Sequence, residues 1–251
     1  MAPALHTTST RLVVTALGAI LLLSGCGLSE VGRPVKTLDA DATVSEPVTA
    51  VELTGIRSGD VEVTAGSGPG VTVRRVVHYR GGTAPTAGQR VSGGVLKFQD
   101  DCEDDCWIDY RLEVPAAAGV RVESSSGDIT VQGVARADLT SSSGDIRAER
   151  IAGPVKVRTA SGRITATGLE GAEADLRAAS GDVQAGFVKA PASVSVTTSS
   201  GDVGVTAPQG PYRLSVDTAS GSRDVRLSSS PDAASRMTVR TASGDIRLSA
   251  S

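Results

Sequence analysis

Residues 239–248 read Val-Arg-Thr-Ala-Ser-Gly-Asp-Ile-Arg-Leu. Val239, Ile246 and Leu248 alternate with polar residues on either side of a Ser-Gly-Asp centre. A period of two marks a half-buried strand. Glycine can take the positive φ of a tight corner, and the following Asp can bond nearby backbone amides. The stretch therefore reads as strand, corner, strand.

The unit recurs along the chain. Ser-Gly pairs stand at 126–127, 143–144, 161–162, 180–181, 200–201, 220–221 and 243–244, and Ser58-Gly59-Asp60-Val61 is an eighth copy. Five residues before the glycine stand Val122, Leu139, Val157, Leu176, Val196, Val216 and Val239; two after it stand Ile129, Ile146, Ile164, Val183, Val203 and Ile246. The Gly221 copy carries two extra residues, which by spacing move its apolar pair to Val225 and Leu227.

Two all-β assemblies fit: a sandwich of hairpins, or a solenoid whose coils stack ~4.8 Å apart. The same side-chain type at the same offset in every copy suits like stacking on like and favours the solenoid. The expected fold is a β-solenoid, similar to a single-stranded β-helix, of 17–20-residue Ser-Gly-Asp repeats with a hairpin near its N-terminal side. One coil buries too few apolar side chains to stand alone, so the array should melt as a unit. The chain ends at Asp245-Ile-Arg-Leu-Ser-Ala-Ser251 without a capping helix, which predicts an open C-terminal strand edge over 237–251 and self-association through it. Pro231 and the Ser-rich loop before it could cover that end.

The first residues carry a different signal. Arg11 precedes an apolar run from Leu12 to Leu23, twelve residues and too short for a spanning helix, which needs roughly twenty. This is the layout of a signal peptide. Leu23-Ser24-Gly25-Cys26 resembles the bacterial lipobox, in which the cysteine thiol receives diacylglycerol. Two acyl chains anchor a protein stably. The expected organisation is a signal peptide over 1–25, a lipid-attached Cys26 with a flexible tether over 26–47, and a β-repeat domain over 48–251, held at the membrane and facing away from the cytoplasm.

Without residues 1–25 the chain has 24 basic and 28 acidic residues (one Arg fewer than the full chain), so it lacks the basic excess of nucleic-acid binders. Two Phe, three Tyr and one Trp are few for the aromatic platforms of a carbohydrate groove.

The lipobox, the Val-Pro-Ala-Ala-Ala-Gly-Val-Arg-Val stretch at 114–122 and the repeated Thr-Ala-Ser-Gly-Asp-Ile together resemble the bacterial "putative adhesin" family of β-strand repeats, over about residues 48–251. The resemblance implies an extracytoplasmic β-repeat domain. It brings no catalytic residues, no cofactor and no named ligand.

Candidate chemistry is sparse. Asp128, Asp145, Asp182, Asp202 and Asp245 share one offset, with Arg163 in the third copy. A calcium-binding β-roll would need a Gly-Gly-x-Gly-x-Asp pattern that is missing, so turn formation is the expected role and no metal site is assigned. Arg147, Arg226 and Arg247 stand two positions on and could neutralise the Asp row. Cys102 and Cys106 should pair outside the cytoplasm, across a loop joining strands Val95–Gln99 and Ile108–Val114. Asp100, Asp101, Glu103, Asp104, Asp105 and Asp109, beside Trp107, form an acidic tip and the best candidate contact surface, because loops carry function more often than coils do. His78 is the only histidine after Cys26, so no Ser-His-Asp arrangement is evident.

The expectation is a lipid-anchored binding or display module without enzymatic activity or cofactor, adhesin-like, contacting an envelope protein or wall polymer. An envelope-sensing or scaffolding lipoprotein with a protein partner is the alternative, and a glycan-active β-helix enzyme is a distant third.

Overall fold

The computed structural model describes residues 34–100, 102 and 105–251. The expected signal peptide over 1–25, Cys26, Asp101, Glu103 and Asp104 lie outside the described residues.

Each Ser-Gly-Asp unit is one coil of a β-solenoid, and coils are designated by their corner glycine. The strand before the corner joins a leading sheet and the strand after it joins a trailing sheet. In the Gly144 coil these strands are Arg136–Ser143 and Ile146–Glu149. Repeat strands run parallel within each sheet. Parallel neighbours cannot be joined by a tight hairpin, and the other half of each coil supplies the crossover.

Register sets like on like. Val122, Leu139, Val157, Leu176, Val196 and Val239 stack in the leading sheet, and Ile129, Ile146, Ile164, Val183, Val203 and Ile246 in the trailing sheet. All of them are buried in one continuous core.

The expected order of coils is corrected at the C-terminal end. The Gly244 coil, last in sequence, lies between the Gly201 and Gly221 coils. Its strands Arg236–Ser243 and Ile246–Ala250 pair on one side with Ser193–Ser200 and Val203–Ala207, and on the other with Pro211–Ser220 and Arg223–Val225. Residues 237–251 are therefore not an open edge; the edge belongs to the Gly221 coil. The reason is residue type. The Gly244 coil keeps the apolar pattern at every offset, whereas the Gly221 coil sets Arg223 opposite Ile246 and leaves Leu214 and Val216 half-buried. A terminal repeat needs a polar outer side, and the irregular copy has one. Its extra residues do not move an apolar pair inward as a unit: Val225 faces Leu248 and is 41% exposed, while Leu227 is buried. Ser228–Ser229 pairs with Pro211–Tyr212, and Arg213 Nε donates to the Pro231 carbonyl at 2.8 Å, so the Ser-Pro loop covers part of this end.

The N-terminal side is also corrected. Val95–Asp100 and Cys106–Pro115 do not form a hairpin with each other. The first pairs parallel with Ala50–Glu52 in the leading sheet; the second pairs parallel with Val61–Gly66 and antiparallel with Val71–Tyr79 in the trailing sheet. Together they make a coil without a Ser-Gly-Asp corner. The hairpin joins Ala87–Ser92 to Val95–Asp100 through Gly93-Gly94, both at positive φ, as a two-residue turn of this kind requires. The expected tether to residue 47 ends earlier: Lys36–Asp39 and Ala42–Val44 are strands along Val71–Tyr79. Their partner would otherwise be an edge strand. Among the described residues no helix is long and apolar enough to cross a membrane.

Candidate functional site: the acidic corner and the aspartate column

The corners stack into a column that explains the Ser-Gly-Asp motif. From Gly59 to Gly221 every corner glycine has φ between 108° and 149°. A Cβ on Gly181 would sit 2.0 Å from the Gly162 carbonyl oxygen, and its counterparts along the column would meet the same obstacle at 2.0–2.2 Å. Side chains are excluded by backbone conformation and by space together.

Because each glycine carbonyl abuts the next glycine, the amide after that glycine needs another acceptor. The Asp of the preceding coil provides it. Asp60, Asp128, Asp145 and Arg163 donate their amides to Oδ1 of Asp109, Asp60, Asp128 and Asp145, respectively, at 2.7–2.9 Å. Beyond Arg163 the same bond links Asp202 to Asp182, Asp245 to Asp202 and Ser222 to Asp245, at 2.8–2.9 Å. Arg163 offers no acceptor to the following coil and instead sets Nη1 3.7 Å from Asp145 Oδ2. The Asp residues thus serve the turn, as expected, but through the neighbouring coil's amide. Of the three arginines expected to neutralise them, Arg147 pairs with Glu149 and Arg226 with Asp224, while Arg247 pairs with Asp224 and also acts on Asp245 through its charge. Thr198, Thr218 and Thr241 complete the corner by donating Oγ1 to the glycine carbonyls of Gly181, Gly244 and Gly201 at 3.0–3.1 Å.

Asp202→Ala removes one such acceptor. It should cost about 1 kcal/mol, the usual net worth of a hydrogen bond, seen as a lower melting temperature with unchanged circular dichroism. The Ser222 amide also holds the Asp245 carboxyl below its ordinary value, with a smaller contribution from Arg247. The stabilisation from charged Asp245 is present above the ordinary carboxylate range and lost as pH falls through the depressed value. Acid should therefore loosen Ser222–Val225 through this group, an effect that methyl NMR of Val225 would follow and Asp245→Ala would abolish.

The acidic tip divides in two. Asp109 belongs to the column: Oδ1 accepts from Asp60, and Oδ2 lies 2.9 Å from His78 Nε2. His78 stacks on Trp107 with ring centroids 4.7 Å apart, and the Arg80 guanidinium lies 6.0 Å from the Trp107 ring centre. Asp105, with φ of 64°, sets Oδ1 3.6 Å from Arg80 Nη1. Asp100 ends its strand. His78, far from the cysteines in sequence, is brought across the sheet to Trp107 by antiparallel pairing. The alternation Val73, Val77, Ile108, Leu112 was the available signal, since it makes both strands and turns His78 and Trp107 outward.

Cys102 and Cys106 are joined, with Cα atoms 5.6 Å apart. The bond closes a sheet-to-sheet corner where other coils use glycine. Replacing both by Ser should cost about 2 kcal/mol on the chain-entropy view of a short loop, with the loss confined to the N-terminal coils in amide exchange.

Beside the column, a surface groove of about 800 Å³ is lined by Asp39, Asp41, Asp60 and Asp128 with Arg74 and Arg111. Asp60 and Asp128 each spend one oxygen on the column, whereas Asp39 and Asp41 come from the strand-flanked N-terminal stretch that sequence reading treats as tether. Among the described residues no group of three or more His, Cys, Asp or Glu is arranged to hold a metal ion.

No curated protein matches the chain. A "putative adhesin" structure from Bacteroides fragilis is similar at 12% identity and a TM-score of 0.50, covering 86% of this chain and 97% of that one. A "putative cell adhesion protein" from Clostridium sporogenes covers 86% of this chain and 100% of its own at 10% identity and a TM-score of 0.38. The Bacteroides fragilis likeness bears on fold alone. The sequence pattern of Toastrack DUF4097 matches residues 54–249, from the first Ser-Gly-Asp coil to the last strand, and the chain belongs to that family.

Proposed function

We propose that this protein is a lipid-anchored, extracytoplasmic display module that works by binding, and that its contact surface is the acidic groove beside the aspartate column. The observation that carries the proposal is the division of labour among the carboxylates. Asp60 and Asp128 each spend one oxygen on a column amide, while Asp39, at the end of the edge strand Lys36–Asp39, and Asp41, in the link to Ala42–Val44, join them in the groove. An acidic groove suits a basic segment of an envelope protein, or a cationic group of a wall polymer. The Leu-Ser-Gly-Cys26 lipobox supports attachment to the membrane, with the repeat domain facing outward.

In-cell crosslinking and capture of the full-length protein, beside a Cys26→Ser form and an Asp39→Lys/Asp41→Lys form, tests this. Enrichment of one envelope protein by the anchored form, lost with the charge reversal, is the expected result. Recovery of wall polymer alone would favour adhesion. Equal recovery by the charge-reversed form would remove the groove from the account.

A further inference from the structure

The inversion of coil order has a consequence for association. The Gly221 coil precedes the Gly244 coil in sequence, yet it reaches the rest of the solenoid through the Gly244 coil. Among the described residues, Pro211–Ser220 pairs in the leading sheet only with Arg236–Ser243 and the short Ser228–Ser229 strand. The Gly221 coil can take its place only when Arg236–Ala250 fills the layer beneath it.

That layer is a slot whose walls specify its occupant. Both neighbours offer full parallel registers to Arg236–Ser243. Gly244 fits against the Gly201 carbonyl, and Gly221 fits against that of Gly244. Asp245 accepts the Ser222 amide and donates its own to Asp202, and Thr241 donates to the Gly201 carbonyl. Met237, Val239, Ile246 and Leu248 are buried at 0–1% exposure. These contacts are made to repeat surfaces and depend little on the connecting segment 230–235. Ser-Pro-Asp-Ala-Ala-Ser lies outside both sheets and is bonded to the solenoid through Arg213 and the Tyr212 carbonyl.

We propose that residues 236–251 are an exchangeable clasp, and that two copies of this chain trade them to form a closed dimer. The same segment from a second copy brings the same side chains and the same backbone register. Reciprocal exchange leaves no slot empty, which a one-way transfer would. Exchange of an identical element is a low-cost route to a dimer, and a strained connection promotes it.

Ser195 and Thr238 are register partners on adjacent strands and point away from the core, so cysteines there lie within reach of a disulfide. Full-length chains carrying Cys26→Ser with either Ser195→Cys or Thr238→Cys would be mixed, passed through partial unfolding in urea, refolded and oxidised. The expected product is a covalent dimer of one chain of each kind. A single chain with both substitutions serves as control and should crosslink internally. Deleting Pro231–Ser235 leaves Ser230 alone between Ser229 and Arg236, two Cα steps of about 3.8 Å each, against roughly two strand spacings of about 4.8 Å to be crossed between Ser228–Ser229 and Arg236–Ser243. This form should raise the dimer fraction at least about tenfold by light scattering. Absence of the mixed covalent dimer, with the internal crosslink intact, overturns the proposal whether or not the shortened chain folds.

Discussion

Gly181→Ala should be the most damaging single substitution in the repeat array, costing at least about 3 kcal/mol. A non-glycine residue at positive φ already costs about 1–3 kcal/mol, and Gly181 stands at 136°. The added methyl would also meet the Gly162 carbonyl oxygen at 2.0 Å, with its carbon at 2.7 Å. The obstacle is backbone, so no rotamer relieves it. One of the two coils must move, and moving either breaks the parallel ladders on both sheets. For a domain of about two hundred residues such a loss lowers the melting temperature by roughly 6–12 °C. Gly68→Ala is the contrasting control: nothing lies within 4 Å of its Cβ position, and no change beyond about 0.5 kcal/mol is expected. Thermal melts of the two variants check the point.

Leu176→Ala should follow closely, at about 2–5 kcal/mol. Leu176 is fully buried and stacks between Val157 and Val196 at the middle of the array. Its neighbours are held at strand spacing by the ladders and cannot close over the cavity, which places the loss toward the upper part of the range. Leu214→Ala makes the same chemical change in the end coil, where the side chain is only half-buried and one flank is open. It should cost less than about 1.5 kcal/mol. Because the coils depend on one another, the Leu176 variant should melt in one transition at lower denaturant, while the Leu214 variant frays at one end in amide exchange.

The repeat was legible because stacking demands it: each coil must present the same side chain to the same neighbour, so Val157, Leu176 and Val196 share an offset as well as a contact. The corner glycine was legible as a turn, but the steric reason was not, since the obstacle is a backbone atom of another coil. The Asp bonds were misplaced for the same reason, because Asp202 serves the amide of Asp245, forty-three residues on. The cysteine coil misled because two strands joined by a short loop normally pair with each other; here no signal in 95–114 separates hairpin from corner. The inverted C-terminal order left one trace, the wider spacing between Gly221 and Gly244 with Arg223 at an apolar offset. Spacing alone does not say which copy takes the end, whereas the burial of Ile246 against the position of Arg223 does. The groove was least visible, since Asp39 and Asp41 join Asp60 only after the N-terminal strands fold back along Val71–Tyr79.

The central claim is that the Asp row serves the fold through its amide bonds, whereas contact depends on Asp39 and Asp41, which share the groove with Asp60 and Asp128. Melting temperature and envelope-protein capture measured together on Asp202→Ala and on Asp39→Lys/Asp41→Lys test it most directly. The account predicts that the first lowers the melting temperature and keeps capture, while the second keeps the melting temperature and loses capture. Loss of capture in the Asp202 variant at unchanged stability, or full capture by the charge-reversed groove, would contradict it.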